Sequence, residues 1–206
     1  MKVLIDNGHG YNTAGKGSPW SLNRVEPELS FKEWEYTREI AKRVYKELKA
    51  KGVDATLLVP EDFDVSLMER CNRANKYHRV NKDTILVSIH VNAAGLGDKW
   101  MNAQGWCIYT SQGITESDTI ADFFVDEAVK TFKGRKIRIY SNSPLNRDFE
   151  ANFYILVHTA CPAVLTENFF QDNSDDVTYL LSEKGKEEVV RCHVNAIMKY
   201  IQSKKK

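Results

Sequence analysis

The chain has 206 residues, 42% of them hydrophobic and 28% charged, with a formal net charge of +1. That length suits a single domain with a real core. The charge balance gives no electrostatic case for a nucleic-acid partner, and no stretch approaches a bilayer span, which excludes membrane insertion.

Met1 to Asp6 reads as a buried strand that starts at once, with no apolar leader before it, so the chain is expected to be synthesised in the cytoplasm without a signal peptide. Asn7 to Pro27 is polar and rich in Gly, Asn and Ser, a long loop of the kind that often carries function. Ser30 to Lys51 has a helical pattern with Ile40, Val44 and Leu48 on its apolar face and Gly52 as its stop. Val53 to Val59 reads as a second strand, Leu67 to Tyr77 as a helix and Thr84 to Ile89 as a third strand. Gly105 to Thr110 reads as a fourth strand and Asp118 to Thr131 as a helix. Phe153 to Val157 and Pro162 to Thr166 are short apolar segments, and Ser182 to Ser203 is a closing amphipathic helix. Strands alternating with helices, with no repeat, linker or break in composition, predict one α/β domain over residues 1–206, its mostly parallel sheet flanked by helices. Lys204-Lys205-Lys206 reads as a solvated tail.

Chemistry concentrates at strand ends. His9 follows the first strand between Gly8 and Gly10, His90 follows the third, and Glu167 follows the late run Ala163-Val164-Leu165-Thr166. Carboxyl ends of parallel strands form one rim, where ligands bind. Two imidazoles and a carboxylate there suggest a metal site with hydrolytic chemistry, although each histidine alone also fits a turn or a satisfied core position. A catalytic zinc takes three protein ligands and keeps one position for water. Glu33 lies on the helix stripe of Ile40 and Val44, and Glu35 on the solvated face with Glu39 and Lys42, so Glu33 is the inward carboxylate. Ser30-x-x-Glu33 equally fits a capping box. Glu167, at the end of an apolar run, reads as a ligand or a general base.

The remaining candidates carry weaker expectations. His78 reads as a packed helix residue, His193 as a surface residue, and His158 as a possible neighbour of the rim between two strand segments. Arg70 and Arg73 read as helix-surface or ion-pair residues. Trp20 and Trp100 sit in loops, buried there or lining a groove. Cys71, Cys107, Cys161 and Cys192 are scattered, with no C-x-x-C pair, and read as reduced small apolar residues.

Four segments together resemble the zinc-dependent N-acetylmuramoyl-L-alanine amidases of bacterial autolysins and phage endolysins. They are Ile5-Asp6-Asn7-Gly8-His9-Gly10, Leu67 to Asn75, Val87-Ser88-Ile89-His90-Val91-Asn92-Ala93, and Cys161 to Glu167. The resemblance implies Zn2+ held by His9, His90 and a glutamate shortly before Ile40-Ala41, which is Glu33. It implies Glu167 as the catalytic glutamate and a single α/β domain with a mixed sheet. The implied substrate is peptidoglycan, cut at the amide between the lactyl group of N-acetylmuramic acid and L-alanine, after release or export to the cell wall by another factor. Asn7 replaces a common proline, and Thr166 and Asn168-Phe169-Phe170 depart from the family pattern around the glutamate, which bears on substrate preference. The alternatives are a different zinc amidohydrolase or carboxypeptidase, and a peptidoglycan-binding domain without catalysis; the latter has no need of a general base.

Overall fold

The period-2 alternation of the strands sorts their side chains between two layers. A computed structural model describes residues 1–19 and 27–205. In it, strand β1 (Lys2–Asn7) sends Val3 and Ile5 into one core cluster and Leu4 into another on the opposite face. The sheet has six strands in the order β2-β1-β3-β6-β4-β5, the others being β2 (Asp54–Leu57), β3 (Thr84–Asn92), β4 (Cys107–Thr110), β5 (Phe149–Glu150) and β6 (Ala163–Phe170). Strands β2, β1, β3 and β6 are mutually parallel, whereas β4 runs antiparallel to β6 and carries β5 with it. The sheet is therefore mixed and mostly parallel, as expected.

Among the described residues six α-helices cover the sheet: α1 (Glu33–Ala50), α2 (Leu67–Val80), α3 (Glu116–Thr131), α4 (Tyr154–Val157), α5 (Ser174–Leu181) and α6 (Glu183–Ser203). Helices α1, α3, α5 and α6 close the larger core over Ile5, Val87, Ile89 and Val164. Helices α2 and α4 close the smaller one over Leu4, Leu86 and Leu165. Among the described residues no helix is long and apolar enough to cross a membrane.

Several boundaries and placements differ from the sequence reading. Strands β3 and β6 run on through His90 and Glu167, so both residues lie within strands and not beyond them. Phe153 to Val157 forms the short helix α4, since a brief apolar run has no periodicity that separates helix from strand. Helix α5 was not anticipated, although Asn173 caps it by accepting from the Asp176 amide at 3.1 Å. All four cysteines are buried and free. Trp100 packs against the larger core, whereas Trp20 and Lys206 lie outside the described residues. Lys204 is not free in solvent: its ammonium pairs with Glu116 at 2.5 Å.

Of the two expectations for Arg70 the ion pair holds and the surface position does not: it is only 2% exposed and pairs with Asp6 and Asp64. Its Nη1 donates to Asp6 Oδ1 and to the Asn7 carbonyl, both at 2.6 Å. Nη2 donates to Asp64 Oδ1 at 3.1 Å and the His9 carbonyl at 3.3 Å, and Nε donates to the Val65 carbonyl at 2.8 Å. The other Asp6 oxygen accepts from Ser88 Oγ at 2.6 Å. Removing one partner of such a pair strands a buried charge, so Arg70→Met should cost about 3–5 kcal/mol, read as a lowered urea midpoint.

His193 is also fully buried, not on the surface. Its Nδ1 faces the Val189 carbonyl at 2.8 Å and its Nε2 faces Thr166 Oγ1 at 2.9 Å. A neutral ring that donates through Nδ1 and accepts the threonine hydroxyl through Nε2 satisfies both. Burial pushes the imidazole pKa down to about 4, against a weaker upward pull from the Val189 carbonyl. The folded pKa is depressed, so above about pH 6.5 neither state binds the proton and the group leaves stability unchanged. Below that the unfolded chain takes up a proton that the folded chain refuses, and stability falls by about 1.4 kcal/mol per pH unit down to the folded pKa. Urea midpoints between pH 4.5 and 7.5 should show this extra acid slope in the wild type and its loss in His193→Gln; equal slopes would mean that the folded imidazole takes up its proton over the same pH range as the unfolded one.

Candidate metal centre

The turn after β1 presents the first histidine. His9 has φ 60°, a left-handed backbone held by the Arg70 bond to its carbonyl. The flanking glycines are needed for close approach. A Cβ on Gly8 would lie 2.5 Å from the His90 ring, and one on Gly10 would lie 2.0 Å from the Asp64 amide nitrogen. The Gly8 carbonyl accepts from Thr37 Oγ1 at 3.0 Å, which ties the turn to α1.

Glu33 is the first residue of α1, and its carboxylate is 1% exposed. The capping box does not form. The N-cap is Lys32, without a side-chain cap bond, and the Glu33 amide donates to the Lys16 carbonyl at 3.1 Å. The carboxylate reaches instead across the sheet rim, where Oε1 accepts from the Val91 amide at 2.9 Å. Oε1 lies 3.2 Å from His90 Nδ1, and Oε2 lies 3.3 Å from His9 Nε2. Glu35 is exposed and pairs with Lys32 at 3.0 Å, as its helical face required.

One donor atom from each of His9, Glu33 and His90 lies within 4.8 Å of the others. The two imidazoles meet edge to face, with ring centroids 5.1 Å apart. Burial alone would push the Glu33 pKa up, but hydrogen bonds to His9 and His90 and the charge of both rings outweigh it and bring it down to about 2. Burial lowers the His90 pKa, and Glu33, Glu167 and Asp6 more than reverse this and raise it. The cluster is an ionised carboxylate with two nitrogen donors around a point that favours positive charge.

Glu167 lies on β6 directly beside His90 of β3. Just beyond, the register slips by one residue, with Phe169 at φ 67°, a β-bulge of the kind that re-aims side chains at functional sites. Asn168 Nδ2, within the bulge, donates to the His90 carbonyl at 2.9 Å. Oε2 of Glu167 is buried with no hydrogen-bond partner. Its pKa is pushed up to about 8, first by burial, with the charge of Glu33 adding to this and His90 opposing it.

A cavity of about 170 Å³ opens beside the two histidines, lined also by Asp64, Leu67, Arg70 and Ile155. A larger cleft of about 1150 Å³, lined by residues such as Lys133, Arg135 and Lys184, contains none of the converging groups. The structure thus joins His9, Glu33, His90 and Glu167. It leaves out His158, which is exposed and stacked on Tyr154 with ring centroids 3.8 Å apart. His78 and His193 are also outside the cluster. The sequence reading missed Arg70 and Asn168 as supports. An aspartate closing an apolar run, as Asp6 does, was the available signal for a buried cation.

Comparison with known proteins agrees with this architecture. A family model described as N-acetylmuramoyl-L-alanine amidase matches residues 3–199. The amidase CwlM of Bacillus licheniformis is 30% identical over 203 residues, spanning 96% of this chain and 67% of that protein. The endolysin of Bacillus phage SPP1 is 27% identical over 206 residues, spanning 99% of this chain and 67% of the endolysin. Among solved structures, the amidase AmiC2 of Nostoc punctiforme has a TM-score of 0.78 at 24% identity, covering 98% of this chain and 97% of that one, a likeness of fold. With a match running through every strand that builds the rim, the chain belongs to the N-acetylmuramoyl-L-alanine amidase family of peptidoglycan hydrolases.

Proposed function

We propose that this amidase works with a zinc ion held by His9, Glu33 and His90, and that Glu167 moves the protons. The convergence of two imidazole nitrogens on one buried carboxylate carries the reading. The donor set fits the ion: nitrogen and oxygen ligands, three in number, leave one position free for water. Bound there, zinc would polarise the scissile carbonyl and acidify a water.

The chain's own groups then have distinct tasks. Glu33 stays ionised and anchors the site, its orientation set by the Val91 amide. His90 is held by the space that Gly8 leaves and by Asn168 at its carbonyl. Glu167 takes a proton as the water oxygen adds to the amide carbon, and gives one to the L-alanine nitrogen as the C–N bond breaks. The products are the lactyl carboxylate of N-acetylmuramic acid and a stem peptide with a free amine. A carboxyl group with its pKa lifted toward neutrality suits both halves of that transfer.

Elemental analysis should find about one zinc per chain. His9→Ala, His90→Ala and Glu33→Ala should each lose metal and activity together, whereas Glu35→Ala should keep both. A metal-free preparation with full activity would end the zinc proposal.

Glu167→Gln keeps the shape and removes the base. It should melt normally, retain zinc and release stem peptides at least about a hundredfold more slowly. The three readouts belong on one preparation, with muropeptide products identified by mass. Loss of zinc together with activity would move Glu167 into the metal's ligand set.

A further inference from the structure

Beyond α4 the face of the sheet that carries Glu167 is not closed by apolar packing alone. Cys107 of β4 pairs with Glu167, and Tyr109 pairs with Leu165, so Tyr109 stands on the same face, diagonal to Glu167. Diagonal neighbours of this kind lie about 7–8 Å apart. From Tyr109 a row of rings runs in both directions across the sheet edge. Phe153, just before α4, meets Tyr109 at 5.1 Å between centroids; Phe149 of β5 meets it from the other side at 5.6 Å; Tyr140 meets Phe149 at 6.2 Å. The two ends are open, Tyr140 at 68% and Phe153 at 39% exposure.

The outer end of the row is held firmly in place. The Tyr140 amide donates to the Arg147 carbonyl at 3.0 Å. Arg147 in turn is clamped on α3 through Asp122 Oδ1 and the Asp122 carbonyl, both at 2.7 Å, and Asp126 Oδ1 at 2.8 Å. The Leu145 amide adds a bond to Asp122 Oδ2 at 2.8 Å. Below the rings, Thr110 Oγ1 donates to Asp148 Oδ2 at 2.5 Å and fixes β4 against the segment that leads into β5. An exposed apolar row on a braced segment, continuous with a catalytic rim, has the character of a ligand platform.

We propose that the row Phe153, Tyr109, Phe149 and Tyr140 is the seat of the glycan strand, holding sugars beyond the muramic acid under attack. The proposal rests on the amidase reading and extends it to substrate length. The bond to be cut joins a sugar to a peptide, so the glycan must leave the site in one direction and the stem peptide in another. The cavity beside His9 and His90 is a separate direction, lined by Asp64 and Arg70 together with Val65, Leu67 and Ile155. The aromatic direction offers four rings in a row, with the Arg138 guanidinium close to Tyr109. Pyranose rings present polarised C–H faces that match the negative face of an aromatic ring.

Tyr140→Ser, Phe153→Ser and the double variant test this, since both side chains are exposed and melting should hardly change. Two substrates are compared: long peptidoglycan strands and a muramoyl peptide with a single sugar. The double variant should raise KM on long strands by about tenfold with kcat little changed, the mark of lost uniform binding. On the single-sugar substrate it should match the wild type. Titration with peptide-free glycan strands should show binding by the wild type and its loss in the double variant. An unchanged KM on long strands, an equal rise on both substrates, or dependence on peptide length instead of glycan length would overturn the proposal. If the wild type released no stem peptide with a free L-alanine amine from either substrate, the amidase reading would fall, and the peptide-free titration would still decide the platform.

Discussion

The buried pair of Asp6 and Arg70 is the constraint on which the arrangement of the rim depends. Asp6 ends an apolar strand, and its charge there must be matched or lost. Arg70 matches it and then spends its other donors on the chain that follows: the carbonyls of Asn7 and His9, and the Asp64 carboxylate. A guanidinium has five donors in a planar fork, so one side chain can define a whole turn where a lysine could not. Ser88 on the next strand completes the aspartate's shell. The left-handed conformation of His9 and the narrow gap at Gly8 are consequences of that knot.

The second feature is that the cluster is assembled from both layers. His90 comes from β3 and His9 from the turn after β1, while Glu33 comes from a helix that packs on the larger core and crosses the rim to reach the Val91 amide. Two glutamates are thereby placed in opposed surroundings. Glu33 sits between two imidazoles and is held ionised; Glu167 sits beside His90 but without a hydrogen-bond partner for Oε2 and is pushed toward its neutral form. Environments that separate two carboxyl groups in this way also separate their roles. The bulge in β6 contributes to both, because it lies next to Glu167 and carries the Asn168 that holds the His90 carbonyl.

The side on which α3 crosses matters for what lies outside the cluster. Strands β4 and β5 are parallel and joined through α3, but that helix packs on the larger core, and the face beside Glu167 that carries Tyr109 is the opposite one. Tyr109 and Phe149 on that face stay partly accessible.

Much of the centre was legible in the sequence. Apolar runs ending in Asp6-Asn7-Gly8-His9, His90 and Glu167 marked strands that deliver polar groups to one rim, and helical phase separated Glu33 from Glu35. Local pattern suffices there because strand alternation and helix period are properties of a few consecutive residues. The resemblance carried by the four segments added the family, which matching over residues 3–199 bore out. Tertiary structure decided the rest. The contest at Glu33 between a helix cap and a place on the rim turned on whether Val91 and two histidines from distant segments arrive within reach. The burial of His193 depended on Thr166 of β6 lying under α6, and that of Arg70 on Asp6 lying under α2. The aromatic row brings together four residues from positions 109 to 153, a grouping made only when β4 and β5 pair at the sheet edge. Such groupings are contacts between segments remote in sequence, and no local periodicity encodes which remote segment will supply the partner.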